Sequence, residues 1–298
     1  MVDTPIVQYL RSLPRNEKIY FFANPGSAGD SLIALATYQL FNRLGIDYCI
    51  VKGSQTFSST GKIMVYGGGG NLVKYYGTAR RLIQTYYPFV KKLVILPHTI
   101  NENEDLLSEF QTNTDIICRE PVSYAHVRKY ATKANVLLMD DLAFSLDAES
   151  ILRTRTKTRL LLEDRRIWSR ILRNFLLGAL LPIRQLPGKI SGQSNWMILN
   201  AFRKDIESSH RLLPRDNVDL ATMFGYGTDR ETTSFYVASR ILRVINRYRA
   251  VRTDRLHICI AAALLGKTVE FFSNNYYKCE AVYQYSMKDK FPNVHWMG

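Results

Sequence analysis

Residues 248–267 read Tyr-Arg-Ala-Val-Arg-Thr-Asp-Arg-Leu-His-Ile-Cys-Ile-Ala-Ala-Ala-Leu-Leu-Gly-Lys. Arg255 and His257 are the side chains here with chemistry to offer. Arginine is a permanent cation with a planar fork suited to oxyanions, and an unperturbed histidine titrates near neutral pH and can give or take a proton. Their neighbours set where they stand. A short run ending at Val251 reads as a strand, Thr253 and Asp254 are good helix caps, and Leu256, Ile258, Ile260, Ala261, Leu264 and Leu265 form an apolar helix closed by Gly266. Arg255 and His257 then fall in the first helical turn, where unpaired N–H groups and the positive end of the helix dipole favour an anion. The plainer reading is a solvated arginine beside a hydrogen-bonded histidine, and spacing alone does not separate the two.

The elements that must position such a pair alternate between strand and helix along the chain. Strand 18–23 runs into Asn24-Pro25-Gly26-Ser27-Ala28-Gly29-Asp30, followed by a helix over 31–44 stopped by Gly45. These glycines fit neither a dinucleotide fingerprint nor a P-loop, and a tight turn explains them as well as a phosphate cradle does. Strands 48–51 and 62–66 follow, the second leading into Gly67-Gly68-Gly69-Gly70-Asn71. Four glycines in a row are costly to order, so this loop is expected to approach a ligand closely. A helix over 78–87, a strand over 92–96, an acidic helix over 103–110 and a strand over 115–118 come next. Arg119-Glu120-Pro121-Val122-Ser123 opens a helix up to Tyr130, and strand 136–139 ends in Asp140-Asp141.

After an interruption come strand 196–202, Arg203-Lys204-Asp205-Ile206-Glu207, strand 219–224, helix 231–245, the Arg255 element, strand 268–272, Asn274-Asn275-Tyr276-Tyr277-Lys278, and a helix over 278–287. Such alternation predicts an α/β protein with parallel sheets and ligand loops at the strand carboxyl ends. At 298 residues and 46% hydrophobic content, two domains with two cores are expected. Residues 1–148 form the first and 192–298 the second. Between them, residues 149–191 alternate basic and apolar side chains.

Val251-x-Thr253-x-Arg255-Leu256-His257, the alanine-rich helix, Gly266-Lys267 and Asn274-Asn275-Tyr276-Tyr277-Lys278 together resemble the C-terminal signature of the polysaccharide pyruvyl transferase family. Asn24, Gly29 and Asp30 are similar to the family's Asn-x-Gly-Asp-type turn, and 67–71 to its Gly-Gly-Gly-Asn-like stretch. Arg119, Glu120 and Ser123 resemble its Arg-Glu-x-x-Ser turn, Asp141 its Asp-Leu/Pro-Ala step, and Arg203-x-Asp205-x-Glu207 a further turn. The motifs are individually modest but stand in the family's order across nearly the whole chain outside the basic stretch.

The resemblance implies two Rossmann-like domains facing a cleft in a GT-B-like arrangement. It also implies transfer of pyruvate from phosphoenolpyruvate onto two hydroxyls of a sugar, in a polysaccharide or its lipid-linked precursor, as a cyclic ketal. His257, Arg255 and Arg203 would be catalytic. Arg203, Arg255, Leu256, His257, Asn274 and Lys278 would bind the donor, and Asn24, Asp30, Gly68, Gly69, Asn71 and Glu120 the acceptor. Neither a metal nor a bound cofactor is called for. For Arg119 and Glu120, helix-end electrostatics are an alternative account.

Two rivals remain open at this level. A nucleotide-sugar glycosyltransferase of GT-B type would use the same histidine and arginines on a diphosphate. A basic nucleic-acid-binding module would explain the net charge of +14, but the arginines cluster in a Leu-rich stretch and at helix starts rather than in a stripe with stacking aromatics, so no nucleic acid is expected. The four scattered cysteines read as reduced thiols, and the lack of a signal-like or membrane-spanning run suggests a cytoplasmic protein. In the basic stretch, Leu172, Phe175, Leu176, Leu180 and Leu181 stand among Arg165, Arg166, Arg170, Arg173 and Arg184, which suits either peripheral contact with an anionic membrane or a helix packed at the domain junction.

Overall fold

The structure is a computed structural model and describes residues 3–52, 57–154 and 196–298. The stretch proposed for membrane contact lies almost wholly outside the described residues. Among the described residues, no helix is long and apolar enough to cross a membrane.

Two parallel sheets organise the molecule. The larger contains β1 (Ile19–Phe22), β2 (Tyr48–Ile50), β3 (Ile63–Tyr66), β4 (Gly69–Leu72), β5 (Lys92–Ile100), β6 (Thr114–Cys118) and β7 (Asn135–Leu138), in the order β2-β1-β3-β5-β6-β7 with β4 also paired to β5. The smaller contains β8 (Trp196–Asn200), β9 (Tyr248–Thr253), β10 (Thr268–Phe271) and β11 (Val294–Trp296), in the order β11-β10-β9-β8. Every pairing in both is parallel. The short, wholly buried runs Ile63–Tyr66 and Thr114–Cys118 are what a sheet covered on both faces requires.

The helices are α1 (Pro5–Ser12), α2 (Ala28–Leu44), α3 (Thr78–Tyr86), α4 (Glu104–Glu109), α5 (Pro121–Tyr130), α6 (Ala148–Arg153), α7 (Leu220–Met223), α8 (Glu231–Ile245), α9 (Leu256–Leu264) and α10 (Lys278–Val282). α2 begins three residues earlier than its apolar pattern suggests. Ser27 and Asp30 form a reciprocal capping box that satisfies the first-turn donors, and Gly45, in the left-handed region at φ 63°, ends the helix.

Three local expectations are corrected. The stretch 219–224 holds α7 (Leu220–Met223) and not a strand: Asp219 accepts a hydrogen bond from the Thr222 N–H, and that cap decides a run whose apolar pattern suits either state. The glycine stretch is not all loop, because 69–72 add β4 beside β5, with Gly69 opposite His98. Finally, the residue that caps α9 is Arg255. Thr253 ends β9, and the Asp254 carboxylate accepts instead from the Arg203 N–H at 2.8 Å.

Among the described residues the buried apolar side chains form two clusters. One lies under α3, α4 and α5 on one face of the large sheet. The other runs continuously from α1, α2 and the opposite face of that sheet through α8 and α9 to the small sheet. The cause is α2, whose residues from Ser31 to Tyr38 are all buried, so it packs on both sides at once. Polar ties follow the same seam: Tyr38 donates to the Thr228 carbonyl at 2.8 Å, and Thr228 Oγ1 donates to the Asn24 carbonyl at 2.9 Å.

Candidate active site

A cavity of roughly 470 Å³ is lined by turns that follow strands of both sheets. From the large sheet come Pro25, Gly26, Ser27, Gly29 and Asp30 after β1, Gly70 and Asn71 in β4, Tyr76 beyond it, and Arg119 directly after β6. From the small sheet come Arg203, Asp205 and Glu207 after β8, Arg255 to Ile258 after β9, and Lys278 at the start of α10. Parallel strands deliver their carboxyl ends, and the helix starts that follow them, to the same side of a sheet, which is why residues so distant in sequence meet.

His257 stands at the second position of α9. Its Nε2 lies 3.4 Å from Asp141 Oδ2 and 3.3 Å from Arg119 Nη1. Arg119 and Asp141 form a buried ion pair of 2.7 Å, and Arg119 Nε also donates to Thr99 Oγ1 at 2.8 Å. They meet because β6 and β7 are neighbours with Cys118 opposite Leu138, so the residues just past their ends share one wall. Burial alone would push the Asp141 carboxyl up, but Arg119 first and His257 second hold it well below the usual carboxylate range. Burial likewise works against the Arg119 charge, and Asp141 outweighs it. The dyad is therefore ionised and sets the position of the His257 ring.

On the other wall, Arg203 gives Nε and Nη2 to Asp205 at 2.7 and 3.1 Å and Nη1 to Glu207 at 2.6 Å. Arg255 Nη2 reaches Asp205 at 2.9 Å and Asp219 at 2.5 Å. Lys278 Nζ bonds Glu207, which also accepts from the Tyr76 hydroxyl at 3.0 Å. Burial opposes ionisation of Glu207, yet Lys278 and Arg203 bring it down to about 2.

Asp30 faces the cavity from the α2 cap, with Oδ1 accepting from Asn24 Nδ2 at 2.8 Å and Oδ2 from the Ser27 N–H at 2.8 Å. Burial raises its pKa despite the nearby His257 and Asn24. Asn71 is held from both sides: its N–H donates to His98 Nε2 at 2.9 Å and its Nδ2 to the Pro25 carbonyl at 2.6 Å.

Of the residues assigned from sequence, Arg203, Arg255, Leu256, His257, Lys278, Asp30 and Asn71 line this one cavity. Asn24, Gly68, Gly69, Glu120 and Asn274 stand behind its wall. Asn24 links Asp30 to the Tyr66 hydroxyl, and Asn274 Nδ2 lies 3.4 Å from Glu207. Glu120 is fully buried and caps α5 by accepting from the Ser123 N–H, so helix-end electrostatics account for it. Three of the glycines also need a different explanation. A Cβ on Gly67, Gly68 or Gly69 would come within 2.7, 2.8 or 2.4 Å of Asn24 N, Pro97 O or Asn24 Nδ2, so the close approach there is protein to protein. Arg119, Asp205, Glu207 and Tyr76 were not assigned to the site from sequence. Arg119 and the two acids sat in noted motifs, but only the strand order and the side-chain pairing give them a place. For Tyr76 there was no local signal.

Residues 28–276 match the family model described as polysaccharide pyruvyl transferase. The chain is 26% identical over 286 residues to a Bacillus subtilis (strain 168) protein named "Putative pyruvyl transferase EpsO", covering 89% of this chain and 84% of that one. It is also similar to a crystal structure of a functionally uncharacterised protein from Klebsiella pneumoniae subsp. pneumoniae NTUH-K2044, with a TM-score of 0.76, 27% identity and full coverage of both chains.

Proposed function

The chain belongs to the polysaccharide pyruvyl transferase family, a family of transferases, and on that premise we propose that it moves pyruvate from phosphoenolpyruvate onto two hydroxyls of one sugar unit as a cyclic ketal. The sugar belongs to a polysaccharide or its lipid-linked precursor. We read the two sheets as the halves of a GT-B-like enzyme, 1–148 on the acceptor side and 192–298 on the donor side.

The observation that carries this reading is the meeting of His257, held by the Arg119–Asp141 pair, with Arg203, Arg255 and Lys278 around one cavity. The donor presents a phosphate and a carboxylate, and arginines and a lysine on two walls can take both. The start of α9, where Arg255 supplies no side-chain cap, adds the positive end of the helix dipole on the same side.

In the reaction, His257 gives a proton to the enol methylene, and one sugar hydroxyl adds to the carbon that becomes cationic. Phosphate then leaves, and the second hydroxyl closes the ring. One hydroxyl proton ends in the new methyl group by way of histidine and the other leaves with phosphate, so no proton is consumed overall. Asp141 and Arg119 orient the imidazole. Asp30, beside His257 with its carboxyl pKa raised by burial, takes a proton from the attacking hydroxyl. Asn71 and the Gly70 backbone border the sugar.

The test uses phosphoenolpyruvate labelled with ¹³C in its methylene carbon and saccharide acceptors from the producing cell. A labelled ketal methyl signal, appearing together with stoichiometric phosphate, is expected. A labelled nucleotide sugar transferring its sugar instead would establish the glycosyltransferase reading.

A further inference from the structure

The cations of the small-sheet wall are already paired. Arg203, Arg255 and Lys278 meet Asp205, Glu207 and Asp219, three charges against three, so that wall is locally neutral. A multiply charged oxyanion entering it gains little unless one of the carboxylates gives way.

The three acids are not equivalent. Asp219 does not line the cavity, and the α7 cap ties it down through the Lys204 N–H at 3.1 Å and Thr222 Oγ1 at 3.0 Å. Glu207 lines the cavity but is 4% exposed and is gripped by Arg203, Lys278 and Tyr76 together. Asp205 lines the cavity, is 36% exposed and bridges both arginines. Its further tie is to the N–H of Glu207 in its own loop, at 3.2 Å. Meanwhile Arg255 Nε is buried with no acceptor among the described residues, so the arginine's hydrogen bonding is incomplete with Asp205 in this position.

We propose that Asp205 is a displaceable counter-ion, which holds the Arg203 and Arg255 guanidinium groups together before the donor binds and is replaced by an oxyanion of the donor. The proposal rests on the reading that the cavity takes an anionic donor. It makes Asp205 a specificity residue, since a donor with two or more charges can replace a carboxylate shared by two arginines where a singly charged anion competes poorly.

Binding of inorganic phosphate and of phosphoenolpyruvate to the wild type, Asp205→Asn and Asp219→Asn is measured by calorimetry. Asp205→Asn is expected to bind both about tenfold more tightly, and Asp219→Asn more weakly. Unchanged or weaker binding by Asp205→Asn, with the variant folded by circular dichroism, overturns the proposal. If that variant does not fold, a wild-type crystal soaked in phosphate decides. The Asp205 carboxylate is expected to have left Arg255, and a carboxylate still bridging both arginines beside bound phosphate overturns the proposal. These readouts need no turnover, so an absent pyruvyl transfer with phosphate binding as expected would sink the proposed function and leave this inference standing.

Discussion

Gly29 lies directly against His257: a Cβ at position 29 would come within 2.6 Å of the imidazole Nδ1. Gly29 has ordinary helical backbone geometry in the first turn of α2, so the absence of a side chain serves the contact and not the backbone. The start of α2 thus fixes one side of the histidine while the Arg119–Asp141 pair fixes the other.

Gly29→Ala should therefore lower turnover at least tenfold by displacing the imidazole. Alanine is the better helix former by about 1 kcal/mol, so stability should change little. Turnover and melting temperature on the same preparation check this. A fully active variant would show that the position of the ring is not critical.

His257→Ala should lower turnover about a hundredfold or more, with donor affinity reduced much less, as expected when a proton donor is lost and the anion clamps remain. Single-turnover rates and a donor binding isotherm separate the two effects. Loss confined to affinity would make His257 a binding group only.

Asp141→Asn should destabilise the protein by about 3–5 kcal/mol, because Arg119, 1% exposed, would keep its charge without a counter-ion. Urea denaturation gives the value, and the double variant Asp141→Asn with Arg119→Met should recover part of the loss. A single variant as stable as the wild type contradicts the pairing.

The glycines should divide sharply. Gly68→Ala brings a Cβ within 2.8 Å of the Pro97 carbonyl oxygen and should lower the melting temperature. Gly70→Ala meets only Arg119 Nη2, at 3.2 Å, and should fold normally but bind the saccharide acceptor less well. Thermal melts and binding isotherms on the two variants would expose the reverse pattern if the assignment is wrong.

Stability should fall on mild acidification because of His98. Burial, helped by Arg119, lowers its pKa from 6.5 to about 3. Below pH 6.5 the unfolded chain takes up a proton that the folded protein refuses, so stability declines as pH falls, with a limiting slope of about 1.4 kcal/mol per pH unit. Urea titrations between pH 6.5 and 5, above most carboxylate titration, should show this slope in the wild type and not in His98→Gln. An identical slope in both would assign it elsewhere.

Much of the site was legible because chemistry-bearing residues followed short apolar strands. Arg255, His257 and Lys278 each sit on a local element whose start can be read from its neighbours, and all three reach the cavity. Arg119 was less legible, since its partnership with Asp141 depends on β6 and β7 lying side by side, and strand order is not a local property. The glycine stretch misled in a specific way: sequence shows where a Cβ is missing but not whether ligand or protein fills the space, and at 67–69 protein does. Residues 219–224 show the limit of periodicity over short runs, where the Asp219 cap decides for helix. The shared core was not anticipated either, although a helix apolar on all sides, as 31–41 reads, already calls for burial on both flanks.

The central claim, that this cavity takes phosphoenolpyruvate as its donor, is tested most directly by calorimetric titration of the full chain and of Lys278→Ala. Phosphoenolpyruvate and a nucleotide sugar are titrated in parallel. The account predicts one saturable phosphoenolpyruvate site on the wild type, weakened at least tenfold in the variant, and no heat from the nucleotide sugar. Saturable binding of the nucleotide sugar with none of phosphoenolpyruvate would contradict it.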